Sequence, residues 1–285
     1  MNDMRPTPSF GQALAWAFQR LIEEMRTVLI ISLLLVVVSL IAFTPLFGFY
    51  AELFGTLMEG NLDPDSMAGI EFPGSGFLFM MIVLFAGFST VFVLMSRLTD
   101  MDRSLLLEGG FGALASRALW VIWRLICATG WMMLVGLIMA VAFMLILITT
   151  GVTANLALGE SGAASIVTVL TIVLYIVMIV VFVGIYGALS VAIYAASRDI
   201  KIGILASWKA LKGCRRRLVI ANVLLYLVMV AAYVVIALMT AALFAALGGL
   251  ALGFYVVLTS LMGGIYAFLW IGVGAAFANY ALART

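Results

Sequence analysis

Six continuous apolar runs, at 28–48, 76–96, 121–150, 166–196, 218–247 and 250–282, constrain this chain more than any motif in it. A bilayer core about 30 Å thick is crossed by about 20 apolar residues in helical form, and every run reaches that length. Hydrophobic residues make up 66% of the sequence and charged residues 10%. Ordinary soluble domains are about half apolar and a quarter charged. The runs are unbroken rather than alternating in polarity, which excludes a membrane barrel. The expected fold is all-α: a polytopic membrane bundle of six transmembrane helices, with residues 1–285 forming a single integral membrane domain. The last four runs exceed one span, which implies tilt or projection past the interface.

The basic residues then set the orientation, because cytoplasmic connections carry the excess of Lys and Arg. Arg5, Arg20 and Arg26 precede the first run, and Arg97, Arg103, Arg117 and Arg124 follow the second. Arg198, Lys201, Lys209, Lys212, Arg215, Arg216 and Arg217 follow the fourth, and Arg284 follows the sixth. That accounts for all 15 basic residues. The alternate connections hold none of them. The first, at 50–75, carries Glu52, Glu59, Asp63, Asp65 and Glu71, and the second carries Glu160. The third is a glycine-rich turn. Three hairpins follow, with both termini in the cytoplasm of a bacterial inner membrane. No small-x-small cleavage site follows the first run, so it is expected to remain as an anchor. Cys127 and Cys214 both fall on the reducing side, so no disulfide is expected.

Three stretches are alike: FGQALAWAF at 10–18, FGALASRAL at 111–119 and IGILASWKAL at 202–211. Each reads as a short cytoplasmic interfacial amphipathic helix, then basic residues, then a two-span hairpin. The chain is therefore read as a threefold repeat over 9–99, 100–198 and 199–285. The first helix is the best specified. Ser9 and Gln12 form a capping box, and Phe10, Leu14, Ala17, Phe18, Leu21 and Met25 recur at helical spacing. It either lies in the inner headgroup layer or packs on the cytoplasmic floor of the bundle.

Chemistry is sparse. The chain has no histidine, which removes the usual metal and haem ligand and the default general base at neutral pH. No ionisable residue sits mid-span, whereas proton relays and ion-coupled pathways need one there. No catalytic residue, metal site or cofactor is expected. Small residues recur every fourth position at Gly184, Ala188, Ala192 and Ala196, at Ala237, Ala241, Ala245 and Gly249, and in two pairs, Gly263 with Ala267 and Gly274 with Ala278. Such ridges let helices approach closely, within one protomer or across a homodimer. Asn222, Asn279, Thr149, Thr150, Thr168 and Thr171 are read as interhelical hydrogen-bonding groups or as cavity lining. Tyr175, Tyr186, Tyr194, Tyr226 and Tyr233 either pack or line a lipid or quinone groove. Trp120, Trp123, Trp208 and Tyr50 suit interfacial anchors.

Lys209, Lys212, Arg215, Arg216 and Arg217 form the densest cluster. They hold the fifth span's start inside, and they are the candidates for gripping anionic phospholipid headgroups. The patch is short and pressed against the membrane, so nucleic acid is not an expected partner. Glu108, Asp100 and Asp102 alternate with Arg97 and Arg103 and are read as paired surface charges.

The amphipathic helix, basic turn and Gly/Ala-rich hairpin at 10–18 and 202–217 resemble the membrane domain of some bacterial glycerophosphodiester phosphodiesterases. They are similar also to related six-span inner-membrane proteins. The resemblance implies a fold and a membrane role, and it transfers no catalytic residue. Two functions remain open: a non-enzymatic protein that organises lipids or a membrane complex, and a transporter, channel or lipid exporter without titratable coupling. An enzyme acting on lipid is the weakest reading, since it needs a polar constellation.

Overall fold

The computed structural model describes residues 8–58, 73–99, 106–200, 202–247 and 250–282. Among them are seven α-helices: α1 (Phe10–Phe43), α2 (Phe47–Met58), α3 (Gly74–Leu98), α4 (Gly110–Ser197), α5 (Ile204–Ala210), α6 (Arg215–Leu247) and α7 (Leu250–Leu282). No strand occurs among the described residues. Six helical stretches are long and apolar enough to cross a membrane.

The N-terminus follows its sequence. Ser9 Oγ accepts the Gln12 backbone N–H at 3.1 Å, and the Ser9 N–H donates to Gln12 Oε1 at 2.9 Å. From there α1 runs unbroken through the first apolar run. The amphipathic segment is therefore no separate short helix: no glycine or proline interrupts 12–43, so the ladder propagates at no nucleation cost. Its small face, Ala13, Ala17 and Leu21, is buried, while Phe10, Phe18 and Ile22 face outward. The second stretch, 111–119, likewise merges into α4. Only the third is a discrete helix, α5, closed off by a turn in which Gly213 takes φ +97°. That left-handed backbone favours glycine. At Pro45 the chain tightens into a 3₁₀ turn, Thr44–Leu46, and then continues as α2. The first part of the predicted acidic loop, up to Met58, is thus helical, because a proline at the start of a turn is tolerated. Asp63, Asp65, Glu59 and Glu71 lie outside the described residues.

Helical backbone continues through all 88 residues of α4, which would span about 130 Å if straight. It is not straight. A Cβ on Gly136 would lie 3.4 Å from Phe182 Cζ, and one on Gly151 would lie 3.6 Å from Val167 Cγ2. Its two arms therefore run back along each other.

Glycines set the interhelical distances. A Cβ at Gly264 of α7 would come within 2.7 Å of Ser32 Cβ on α1, and one at Gly274 within 2.7 Å of Ser190 Cβ on α4. On α3, a Cβ at Gly87 would fall 3.0 Å from Val38 Cβ. Backbone approach of this kind replaces the hydrophobic drive that lipid does not supply. Gly274 of the α7 ridge is spent in this way, and Ala188, Ala192 and Ala196 of α4 are all buried. In α6, by contrast, Ala237 and Ala241 face outward.

Gly264→Val should lower the thermal unfolding temperature in detergent, since overpacking of about 1–3 kcal/mol exceeds the helix propensity gained. Gly253, whose Cβ would meet nothing within 4 Å, should accept alanine without loss.

Candidate functional site

One end of the bundle collects the arginines. Arg97, at the end of α3, is 2% exposed; its Nη1 donates to Ser197 O at 3.3 Å and its Nη2 meets Glu108 Oε2 at 3.3 Å. Arg20 Nε donates to Thr99 O at 3.1 Å. Arg117 forks onto Asp199 at 2.9 and 3.2 Å, and its Nη1 donates to Glu108 O at 3.0 Å. The Ser96 and Ser197 hydroxyls share a hydrogen bond of 2.7 Å. These bonds bring α1, α3 and both ends of α4 together. The expected surface pairing of Glu108 with Arg97 is therefore half right: Glu108 is exposed, but Arg97 is a core residue. Its guanidinium is carried inward to the last turn of α4, where the Ser197 carbonyl awaits a donor. Asp100, Asp102 and Arg103 lie outside the described residues.

Asp199 has φ +62°, a left-handed conformation that Asp tolerates better than most residues. The hydrogen bonds from Arg117 are the main cause that holds its carboxyl below the usual carboxylate range, opposed by partial burial and helped by the charges of Arg117 and Arg97. Burial, and then Arg97, pull the Arg198 guanidinium below the ordinary arginine range. It sits 4.9 Å from the Tyr194 ring centroid. Tyr194 in turn donates to Asn279 Oδ1 at 3.1 Å, so Asn279 does join two helices as expected. The threonines do not. Thr149, Thr168 and Thr171 bond back to carbonyls of their own helix, because the i−4 oxygen is the nearest acceptor on an exposed face.

The headgroup candidates run from the last turn of the short helix α5 to the start of α6. Arg215 Nε donates to Trp208 O at 2.8 Å and its guanidinium lies 5.0 Å from that ring centroid. Lys209, Lys212, Arg216 and Arg217 are exposed around it. Arg215 thus pins α5 to α6, while the others project. Cys127 and Cys214 are free thiols.

Below this end lies a cavity of about 490 Å³ between α3, α4, α6 and α7. Phe85, Phe88 and Phe92 line it from α3, and Asn222, Tyr226 and Tyr233 from α6. Tyr186 of α4 and Tyr266 and Trp270 of α7 complete its aromatic wall. Trp270 stands between Phe92 and Tyr186, with centroids 5.7 and 6.1 Å away. Met81 to Phe92 is 11 residues, so the cavity runs about 16 Å along the helices. Its back, at Asn222, Ala267 and Trp270, is at most 4% exposed; its rim, at Met81 and Tyr186, is exposed at 36% and 45%.

Among the described residues, no charged side chain and no cysteine lines the cavity. Its polar groups are one amide, four phenols and the indole N–H of Trp270. Tyr233 donates to Thr259 O at 3.3 Å, whereas the hydroxyls of Tyr186, Tyr226 and Tyr266 make no hydrogen bond among the described residues. Asn222 Nδ2 donates to Leu218 O at 2.9 Å, and its buried Oδ1 has no partner there. The tyrosine stripe of the sequence is thus divided: Tyr186, Tyr226 and Tyr233 line the cavity, Tyr175 faces outward, and Tyr194 belongs to the arginine end. Sequence reasoning passed over Phe85, Phe88 and Phe92, although their spacing of three and four marks one helix face. It also passed over the i, i+4 pair Tyr266 and Trp270.

Compared with protein-family models, with curated proteins and with solved structures, the chain matches none.

Arg97→Ala should lower stability by about 3 kcal/mol, the cost of stripping a buried charge from its acceptors. Asp199→Asn, at an exposed pair, should cost no more than about 1 kcal/mol. Because the Asp199 carboxyl is depressed, its contribution is complete above the unfolded carboxyl range and is lost as pH falls through the folded one. Thermal melts of wild type should therefore drop on acidification below about pH 4, with a smaller drop in Arg117→Gln.

Proposed function

We propose that this is a multi-pass protein of a bacterial inner membrane that binds a lipid-like molecule inside its bundle and works without covalent chemistry. The cavity beneath the arginine end carries this reading. At about 490 Å³ it falls within the range of roughly 300–1,000 Å³ typical of small-molecule sites. Its walls are apolar and aromatic, and among the described residues they carry a few uncharged polar groups and no charged side chain. A membrane lipid or a molecule dissolved in the membrane is the available ligand of that character.

In this reading the six spans stand as three hairpins with the arginine end, and both termini, in the cytoplasm. Charge sorting supports that orientation. Trp120 and Trp123, both exposed, then lie at the headgroup level. So do Lys209, Lys212, Arg216 and Arg217, each worth about 1 kcal/mol toward an anionic leaflet. The outward aromatic face of the N-terminal segment, Phe10 and Phe18, suits the same layer. Bound lipid is either organised or handed on; the exposed rim at Met81 and Tyr186 favours handing on, since it leaves a lateral route for exchange. Whether a partner protein or a second copy joins the bundle is a separate matter from cavity occupancy.

Native mass spectrometry of the full chain, released from its own membrane in lipid discs, tests the reading. One specific non-bulk adduct should survive stripping of the annular lipid. Ala267→Phe, which projects into the cavity from its buried back, should abolish that adduct while the protein stays monodisperse. An adduct that is merely bulk phospholipid, unaffected by Ala267→Phe, would contradict the proposal.

A further inference from the structure

Resting on that reading, we infer that the cavity's ligand is an uncharged amphiphile whose head carries a hydroxyl, donated to Asn222 Oδ1. Asn222 is 2% exposed and lines the cavity. One N–H of its Nδ2 is committed to Leu218 O at 2.9 Å, and the atom left without any partner is the carbonyl oxygen, which only accepts. That oxygen is buried and has no partner among the described residues. A buried acceptor left open is costly, and native proteins rarely leave one unexplained. The ligand must therefore bring a donor.

The surrounding groups narrow the class further. Tyr186, Tyr226, Tyr233 and Tyr266 line the same cavity as Asn222. Each can donate or accept, and together they can hold a second oxygen of the same head. No cationic or anionic side chain lines the wall, so a phosphate or carboxylate head would be buried without a counter-charge. A head bearing only carbonyls would satisfy the phenols and leave Asn222 open. Diglycerides, long-chain alcohols and hydroquinones meet all of these demands. The tail then follows the apolar stretch toward Met81 and Met229 along about 16 Å of helix.

Trp270, in the wall, provides the readout. The full chain is placed in phosphatidylcholine discs and titrated with a chain-brominated diglyceride, and fluorescence quenching is compared with that of Trp270→Phe, which removes this reporter. The Trp270-dependent quenching should saturate. Unlabelled diglyceride and a short-chain hydroquinone are then the competitors, and whichever displaces the probe at lower concentration identifies the source of the hydroxyl. The matching quinone, which lacks the donor, should compete about tenfold more weakly. Asn222→Leu should weaken binding by a similar factor, and Ala267→Leu, which narrows the cavity from a different helix, should weaken it further. Brominated phosphatidylcholine quenching Trp270 as well as the diglyceride does, or unchanged binding in Asn222→Leu, would overturn the inference while leaving a lipid-filled cavity in place. An absence of Trp270-dependent quenching by every probe would overturn the inference and the functional reading together.

Discussion

The guanidinium of Arg97, buried at the end of α3, is the interaction on which the arrangement of the helices depends. An isolated charge in that position would cost several kcal/mol, so its neighbours are constrained to supply acceptors: Ser197 O from the far end of α4 and Glu108 from the connection that precedes α4. The two ends of one 88-residue helical run are thereby held at the same place, and the run has to double back. Arg117 repeats the device with Asp199 and Glu108 O. Arg20 ties the N-terminal helix to Thr99 in the same layer. Basic side chains that in sequence look like mere topology signals therefore also close one end of the bundle.

Packing beneath that layer is uneven, and the cavity follows from the unevenness. Small residues draw α7 close to α1 at Gly264 and to α4 at Gly274. Where backbones approach this closely there is no room for a ligand. On the opposite flank α3 and α6 present phenylalanines and tyrosines, which hold helices apart. Rings of this size cannot interdigitate as small residues do, and their preferred tilted contacts, such as Phe92 on Trp270, leave space between centroids. The same bundle is thus tight on its glycine face and open on its aromatic face. Exposed apolar surface is plentiful elsewhere, notably along the first arm of α4, whereas the aromatic face combines depth with polar groups.

Element identity was legible because hydrophobic length is a local property. The six runs, the capping box of Ser9 and Gln12, and the interhelical role of Asn279 all follow from residue type and spacing. What resisted reading was non-local. The burial of Arg97 depends on Ser197, a hundred residues away, and no window around either residue signals it. Continuity at 10–43 and in α4 was obscured because an amphipathic segment ahead of an apolar run resembles a separate interfacial helix, yet nothing in its sequence stops the helix. In the third stretch Gly213 supplies the stop, and there the short helix is real. The cavity was half visible: Tyr186, Tyr226 and Tyr233 stood out as a stripe, but Phe85, Phe88 and Phe92 read as ordinary apolar surface. A stripe becomes a cavity only when the opposing helix fails to fill it.

One-sidedness of the arginine end is the premise of the proposed function, in which the cavity lies below the cytoplasmic headgroups. The direct test uses single cysteines at Lys212 and at Glu52, in a background lacking Cys127 and Cys214, probed with a membrane-impermeant maleimide on right-side-out and inverted vesicles. The account predicts that the cysteine at 212 reacts only in inverted vesicles and the one at 52 only in right-side-out vesicles. Reaction of both from the same side would contradict it.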